Sequence, residues 1–233
     1  MIKVEINEVM GIHSAMQGMR NPLDSWKKGD TIYNEEIMCD FDGCSSFDND
    51  ALMSGVSVGE NDKALARKLI DAGSSHRKFM RQIFVSMNIK APLYWWKEFD
   101  TYKVGTTANS CSTMHTITNK EFTIDDFSHD KMLLGAQRAL EDIVWHLNTL
   151  RTKYLDEENP DIKKKYWYSI IQLLPSSYNQ LRTVTMSYEN LRNMYEQRKN
   201  HKLDEWRKFC NTIEKVLPYS NWIIDKKEDK SND

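Results

Sequence analysis

Cysteine, proline and glycine are scarce in this chain: its 233 residues include only 4, 5 and 9 of them. Cys39, Cys44, Cys111 and Cys210 lack both the density of a secreted disulfide scaffold and the paired spacing of a zinc site, so reduced structural thiols and no metal are expected. A bias of charge is missing too. The 32 basic and 34 acidic residues nearly cancel, which leaves no global field to draw in a nucleic acid polymer or an anionic membrane, so any nucleotide binding has to be local. No stretch approaches the roughly 20 apolar residues of a membrane span. The start, Met1-Ile2-Lys3-Val4-Glu5-Ile6, alternates as a strand does and lacks the apolar run of a signal peptide, so a cytoplasmic protein is expected. The length suits one domain with a sizeable core, spanning 1–224, and is short for two.

What is present is a succession of helical and strand patterns. Residues 2–6 read as a strand and Ser14–Arg20 as a helical turn that Pro22 helps to end. Between Trp26 and Gly59 the chain is rich in Asp, Asn, Ser and Gly without a sustained period, which predicts an irregular loop or insertion. Ala64, Ala66, Leu69 and Ile70 recur at helical spacing, with Gly73 as a C-cap that puts His76 just past the helix end. Ile83, Val85, Met87 and Ile89 alternate with Phe84, Ser86 and Asn88 as a strand does. Pro92 can open a helix over Leu93–Lys103.

A long helix is predicted from Asp125 or Asp126 to about Tyr154, with a stripe of Leu133, Ala136, Leu140, Val144, Leu147 and Leu150, until Asn159-Pro160 breaks it. Then come a helix over 162–173, a strand over 180–186, a helix capped by Ser187 with Leu191, Met194 and Tyr195, and a last helix over 203–217. The tail, 225–233, is nearly all charged or polar and is expected to be disordered. Helices mixed with few strands indicate an α+β protein.

Potential chemistry concentrates in the centre, from His76 through Lys90-Ala91-Pro92 and Thr101-Tyr102-Lys103 to Asn109-Ser110-Cys111-Ser112. In this order the segment resembles the flavin-dependent thymidylate synthases (ThyX). Their core runs from a Gly-His near a helix end, through a strand closing in Ala-Pro, to a helix with Arg-His-Arg and a loop with Asn-Glu-x-Ser. Leu174-Pro175, then Leu191, Asn193 and Arg198, then Glu205-Trp206-Arg207 resemble the family's later Leu-Pro, Asn-x-x-x-x-Arg and Gln-x-Glu-Ile-Arg region. Val9-Met10-Gly11 through Ser14-Ala15 to Arg20 is similar to its first strand and helix opening. The departures are specific. Thr101-Tyr102-Lys103 stands for Arg-His-Arg, a slightly longer spacer precedes Asn109, Ser110 replaces the loop Glu, and Met114 and Ile171 occupy positions where the family has Arg.

The resemblance implies a ThyX-like α+β fold, a small, mostly antiparallel sheet packed with several helices including one long helix. It also implies FAD as cofactor, NADPH and methylenetetrahydrofolate as co-substrates, dUMP or a related pyrimidine nucleotide as substrate, and a homotetramer with sites between subunits. Carried over residue by residue, it assigns the cofactor to His76, Tyr102, Lys103 and Asn193 and the substrate to Ser110, Ser112 and Arg198. Arg198 is the strongest of these, because a guanidinium can bond a uracil carbonyl or a phosphate in a forked geometry that lysine cannot copy. On residue type alone it is a solvent-facing arginine among Gln197, Lys199 and Asn200, His76 is a cap or surface histidine, and Asn109 shapes its loop. No base is adjacent to Ser112, which argues for a binding hydroxyl over a nucleophile, and no catalytic residue is assigned. Of Trp95 and Trp96 at least one is expected in the core. The functional expectation is a ThyX homologue, the alternative a protein on the same fold that binds or sequesters a nucleotide without redox chemistry.

Overall fold

The computed structural model describes residues 2–33 and 55–224. In chain order the elements are β1 (Lys3–Met10), α1 (Ile12–Arg20), β2 (Ile32–Tyr33), β3 (Val56–Ser57), α2 (Glu60–Asp71), β4 (Phe84–Pro92), α3 (Leu93–Phe99), β5 (Thr106–Ser110), α4 (Thr113–Thr116), α5 (Leu134–Asp156), α6 (Pro160–Leu173), β6 (Asn179–Ser187), α7 (Tyr188–Arg198) and α8 (Asp204–Val216). The fold is α+β, with a small antiparallel sheet and one long helix, α5. Four strands pair in the order β1-β4-β6-β5, and β2 with β3 form a separate antiparallel pair. The β4–β6 register is fixed by three bonds that fall at constant offset: Tyr188 N–H to the Ile83 carbonyl (2.9 Å), Thr183 Oγ1–H to Asn88 Oδ1 (2.7 Å) and Leu93 N–H to the Tyr178 carbonyl (3.0 Å).

The described residues form two compact units. The first comprises the described residues within Met1–Lys3, Ile89–Thr101 and Asn109–Arg182; the second, those within Val4–Asn88, Tyr102–Ala108 and Thr183–Asp233. In the first unit, α5 and α6 make a helical hairpin. Leu140, Leu147 and Ile170 pack with Ile117, Phe122 and Phe127 into one cluster. Trp95 and Trp96 are both buried, and each ring lies about 5.1 Å from that of Phe99. In the second unit the alternation of β4 and β6 buries Val85, Met87, Val184 and Met186, and the amphipathic α8 buries Trp206, Phe209 and Ile213.

Several element boundaries differ from the sequence expectation for local reasons. The long helix begins at Leu134 and not at Asp125 or Asp126, because the Asp126 carboxylate is used elsewhere: it closes a capping box with Thr123 on a short 3-10 turn, Ile124–Asp126. Phe127 then turns extended and bridges to Tyr178. Leu133 and Ala136, placed in the buried stripe by spacing, are exposed, while Leu140 and Leu147 are buried. Asn159-Pro160 does not only break α5; it starts α6, with Asn159 Oδ1 accepting from Asp161 N–H and Ile162 N–H. The helix after Pro92 gives way at Asp100 to a 3-10 turn, and the predicted loop around Asn109-Ser110 is the end of strand β5. Within 26–59 the chain is not wholly irregular, since Trp26–Lys28 forms a 3-10 turn and β2 and β3 pair. Residues 34–54, with Cys39 and Cys44, and the tail from 225 lie outside the described residues.

Candidate functional site

In the second unit Tyr102, from the altered motif, and the carried-over arginine come together. Tyr102 ends the 3-10 turn after α3, and Arg198 ends α7, 96 positions later in the chain. Arg198 Nε donates to the Tyr102 hydroxyl at 2.8 Å. The guanidinium also lies over two rings, 4.9 Å from the Trp206 centroid and 5.4 Å from that of Tyr102. Trp206 is fully buried on α8 and meets Tyr102 edge to face at 6.0 Å, so this cation sits on a rigid aromatic base. Behind it, burial pushes the Cys210 thiol up to about 12, although the charges of Arg198 and Lys199 pull the other way.

The hydrogen bonds continue outward. The Tyr102 hydroxyl bonds Gln197 Oε1 at 2.9 Å, and Gln197 Nε2 donates to Asn193 Oδ1 at 2.7 Å. Asn193 is one wall of a cleft of about 460 Å³ that also involves Arg77, Arg81, Phe84, Gly105 and Glu196. That volume is within the range of roughly 300–1,000 Å³ typical of small-molecule sites.

The cleft is lined by both charged and apolar side chains. Phe84 and Val104, both lining it, are 40% and 83% exposed, which leaves two apolar faces open to a flat ligand. Asn190 is locked: its Oδ1 accepts from Ser187 Oγ at 2.5 Å and its Nδ2 donates to the Val104 carbonyl at 2.7 Å. Arg77 Nε bonds both oxygens of Glu189, at 2.9 and 3.2 Å, so its charge is matched within the cleft. Arg81 donates to the Ser74 carbonyl at 3.3 Å. With Arg77 and Arg81 set against Glu189 and Glu196, the lining carries equal formal charge of each sign. Such a balanced lining suits a neutral, flat group better than a pyrophosphate, which needs an excess of cations.

His76 is exposed in the turn after α2, its N–H bonded to the Gly73 carbonyl at 3.0 Å; its neighbour Arg77 lines the cleft. Lys103 is exposed, and its carbonyl accepts from Thr106 N–H at 3.2 Å. Ser110 and Ser112 belong to the first unit. Ser110 is exposed at the end of β5, and Ser112 is the N-cap residue of α4, its carbonyl accepting from the Thr116 hydroxyl at 2.7 Å. Thr101, also in the first unit, gives its hydroxyl to the Glu98 carbonyl at 2.7 Å. Sequence reasoning missed Arg77, Arg81, Asn190 and Gln197. A signal for two of them was available, because Arg77 and Arg81 are spaced four apart directly after His76.

The architecture defines a class: this is the fold of the flavin-dependent thymidylate synthases. A crystal structure of flavin-dependent thymidylate synthase ThyX from Helicobacter pylori, complexed with FAD and dUMP, matches with a TM-score of 0.65 over 96% of this chain and 98% of that one, at 16% identity. A second crystal structure of Thymidylate Synthase X from Helicobacter pylori, with FAD and dUMP, gives 0.62 over 95% and 96%, at 14% identity. At such identity the likeness establishes the fold alone. No protein-family profile matches the chain, and no curated protein matches it.

Proposed function

We propose that this chain is a flavin-dependent enzyme of the thymidylate synthase type, acting on dUMP or a related pyrimidine nucleotide with a folate one-carbon donor. The observation that carries the reading is the contact of Tyr102 with Arg198. Two segments that resemble separate motifs of one family, far apart in sequence, meet at a hydrogen bond beside a cleft of suitable size. Reduced FAD, when bound, supplies the hydride chemistry. The chain's own residues then have simpler tasks. Phe84 and Val104 cover a ring and exclude water from it, Asn193 orients its polar edge, and Arg198 offers a forked cation to a carbonyl or phosphate of the nucleotide. His76 and Lys103 are assigned to the cofactor and Ser110 and Ser112 to the nucleotide, as hydroxyl contacts and not nucleophiles.

The test is an absorbance spectrum after incubation with FAD and desalting. Retained flavin absorbance is expected; a colourless protein overturns the enzyme reading. A second reading, a nucleotide-binding protein without redox chemistry, is favoured by Thr101 in place of an arginine and by the charge-matched cleft. Calorimetry with a nucleotide panel separates the two, since nucleotide affinity in a protein that retains no flavin supports the second. A homotetramer is part of the proposal, and light scattering giving a monomer mass would remove it.

A further inference from the structure

Arginine has donors only, so the Tyr102 oxygen is the acceptor at the Arg198 end of the chain Arg198–Tyr102–Gln197–Asn193. Arg198 Nε donates to the Tyr102 oxygen at 2.8 Å, and the Tyr102 hydroxyl in turn donates to Gln197 Oε1, which can only accept, at 2.9 Å. The Gln197 amide is thereby oriented, and its Nε2 donates to Asn193 Oδ1 at 2.7 Å. With its oxygen turned toward Gln197, the Asn193 amide leaves Nδ2, a donor, for the cleft it lines.

Resting on the functional reading above, we infer that Tyr102 is a positioning residue: it transmits the donor polarity of Arg198 to Asn193 and so selects a ligand with a carbonyl oxygen at that edge of the cleft. Among the rings in the proposed reaction that carry such oxygens are the isoalloxazine of a flavin and an oxopyrimidine base. A cytosine base, with an amino group where uracil has an oxygen, is disfavoured at the same position. The arrangement also gives a reason for a tyrosine in the altered motif. A hydroxyl both accepts and donates, so it can pass the polarity on.

Two substitutions test it. Tyr102→Phe keeps the ring against Trp206 and removes the relay. Gln197→Glu keeps an acceptor for Tyr102 but cannot donate to Asn193, so Asn193 turns its Nδ2 to the carboxylate and shows Oδ1 to the cleft. FAD affinity is measured by fluorescence quenching, and dUMP and dCMP affinities by calorimetry. Loss of one such hydrogen bond predicts about threefold to tenfold weaker binding of the oxo ring in Tyr102→Phe. In Gln197→Glu a fall in the preference for dUMP over dCMP identifies a base as the occupant, whereas weaker FAD with that preference unchanged identifies the flavin; either supports the relay. Unchanged affinities for FAD, dUMP and dCMP in both variants overturn it. A readout free of ligand is the Asn193 side-chain amide signal of nitrogen-labelled protein. A changed signal in Tyr102→Phe supports the relay and an identical one overturns it, even if wild-type protein binds neither flavin nor nucleotide and the functional reading falls.

Discussion

At Gly11 the backbone has φ +82°, and the place a Cβ would take is filled by the Gln82 carbonyl. Both facts exclude a side chain between β1 and α1, so Gly11→Ala is expected to cost at least about 1–3 kcal/mol, read as a lower urea midpoint. Thiol chemistry divides the two described cysteines in a different way. Cys210 is buried with its thiol held up to about 12, whereas Cys111 is exposed. Brief alkylation of native protein at mildly alkaline pH should therefore label Cys111 and spare Cys210, as peptide mass mapping would show; equal labelling contradicts the burial. Arg198→Lys tests the guanidinium itself. A lysine cannot reproduce the Nε bond to Tyr102 while stacking on Trp206, and pyrimidine nucleotide affinity should fall about tenfold or more, measured by calorimetry.

Among elements, the α5–α6 hairpin rests on a few fully buried side chains. Leu147 on α5 and Ile170 on α6 are wholly buried, but Trp145 and Leu134 on α5 are 64% exposed. Leu147→Ala should destabilise the fold by about 2–5 kcal/mol, whereas Trp145→Ala should change stability by less than about 1 kcal/mol, both read by urea unfolding. The turn ahead of α5 adds a pH dependence. Burial alone would raise the Asp126 carboxyl, but the Lys120 ammonium and the Thr123 N–H and hydroxyl outweigh it and hold the group below its ordinary value. A carboxyl lowered on folding contributes stability above its unfolded pKa and loses it as pH falls through the folded one. Asp126→Asn should accordingly destabilise the protein near neutral pH and make its urea midpoint vary less below about pH 4.

For the whole molecule, much of the element order could be read locally. Period-2 alternation placed β4, Pro92 marked the start of α3, Ser187 marked that of α7, and Gly73 with φ +101° ends the turn after α2 as a left-handed residue. The long helix was misplaced at its start because an acidic pair looks the same whether it caps a helix or a separate 3-10 turn; Asp126 is decided by Thr123 and Lys120 around it. β5 was missed because Thr106–Ser110 has no apolar alternation, being half-buried or exposed throughout. Of the candidate site, Tyr102, Asn193 and Arg198 were legible by motif order. The neutralisation of Arg77 by Glu189, 112 positions away, had no local signature.

The α+β alternation and the caps are legible from the chain alone, because each depends on residues within a turn or two of one another, and the order of the family-like motifs can be read directly along it. Long-range packing settles which hydroxyl Arg198 meets and that Arg77 and Arg81 share a cleft with two carboxylates. Those outcomes follow from strand register and from the packing of α7 and α8, which bring together side chains that no local pattern relates.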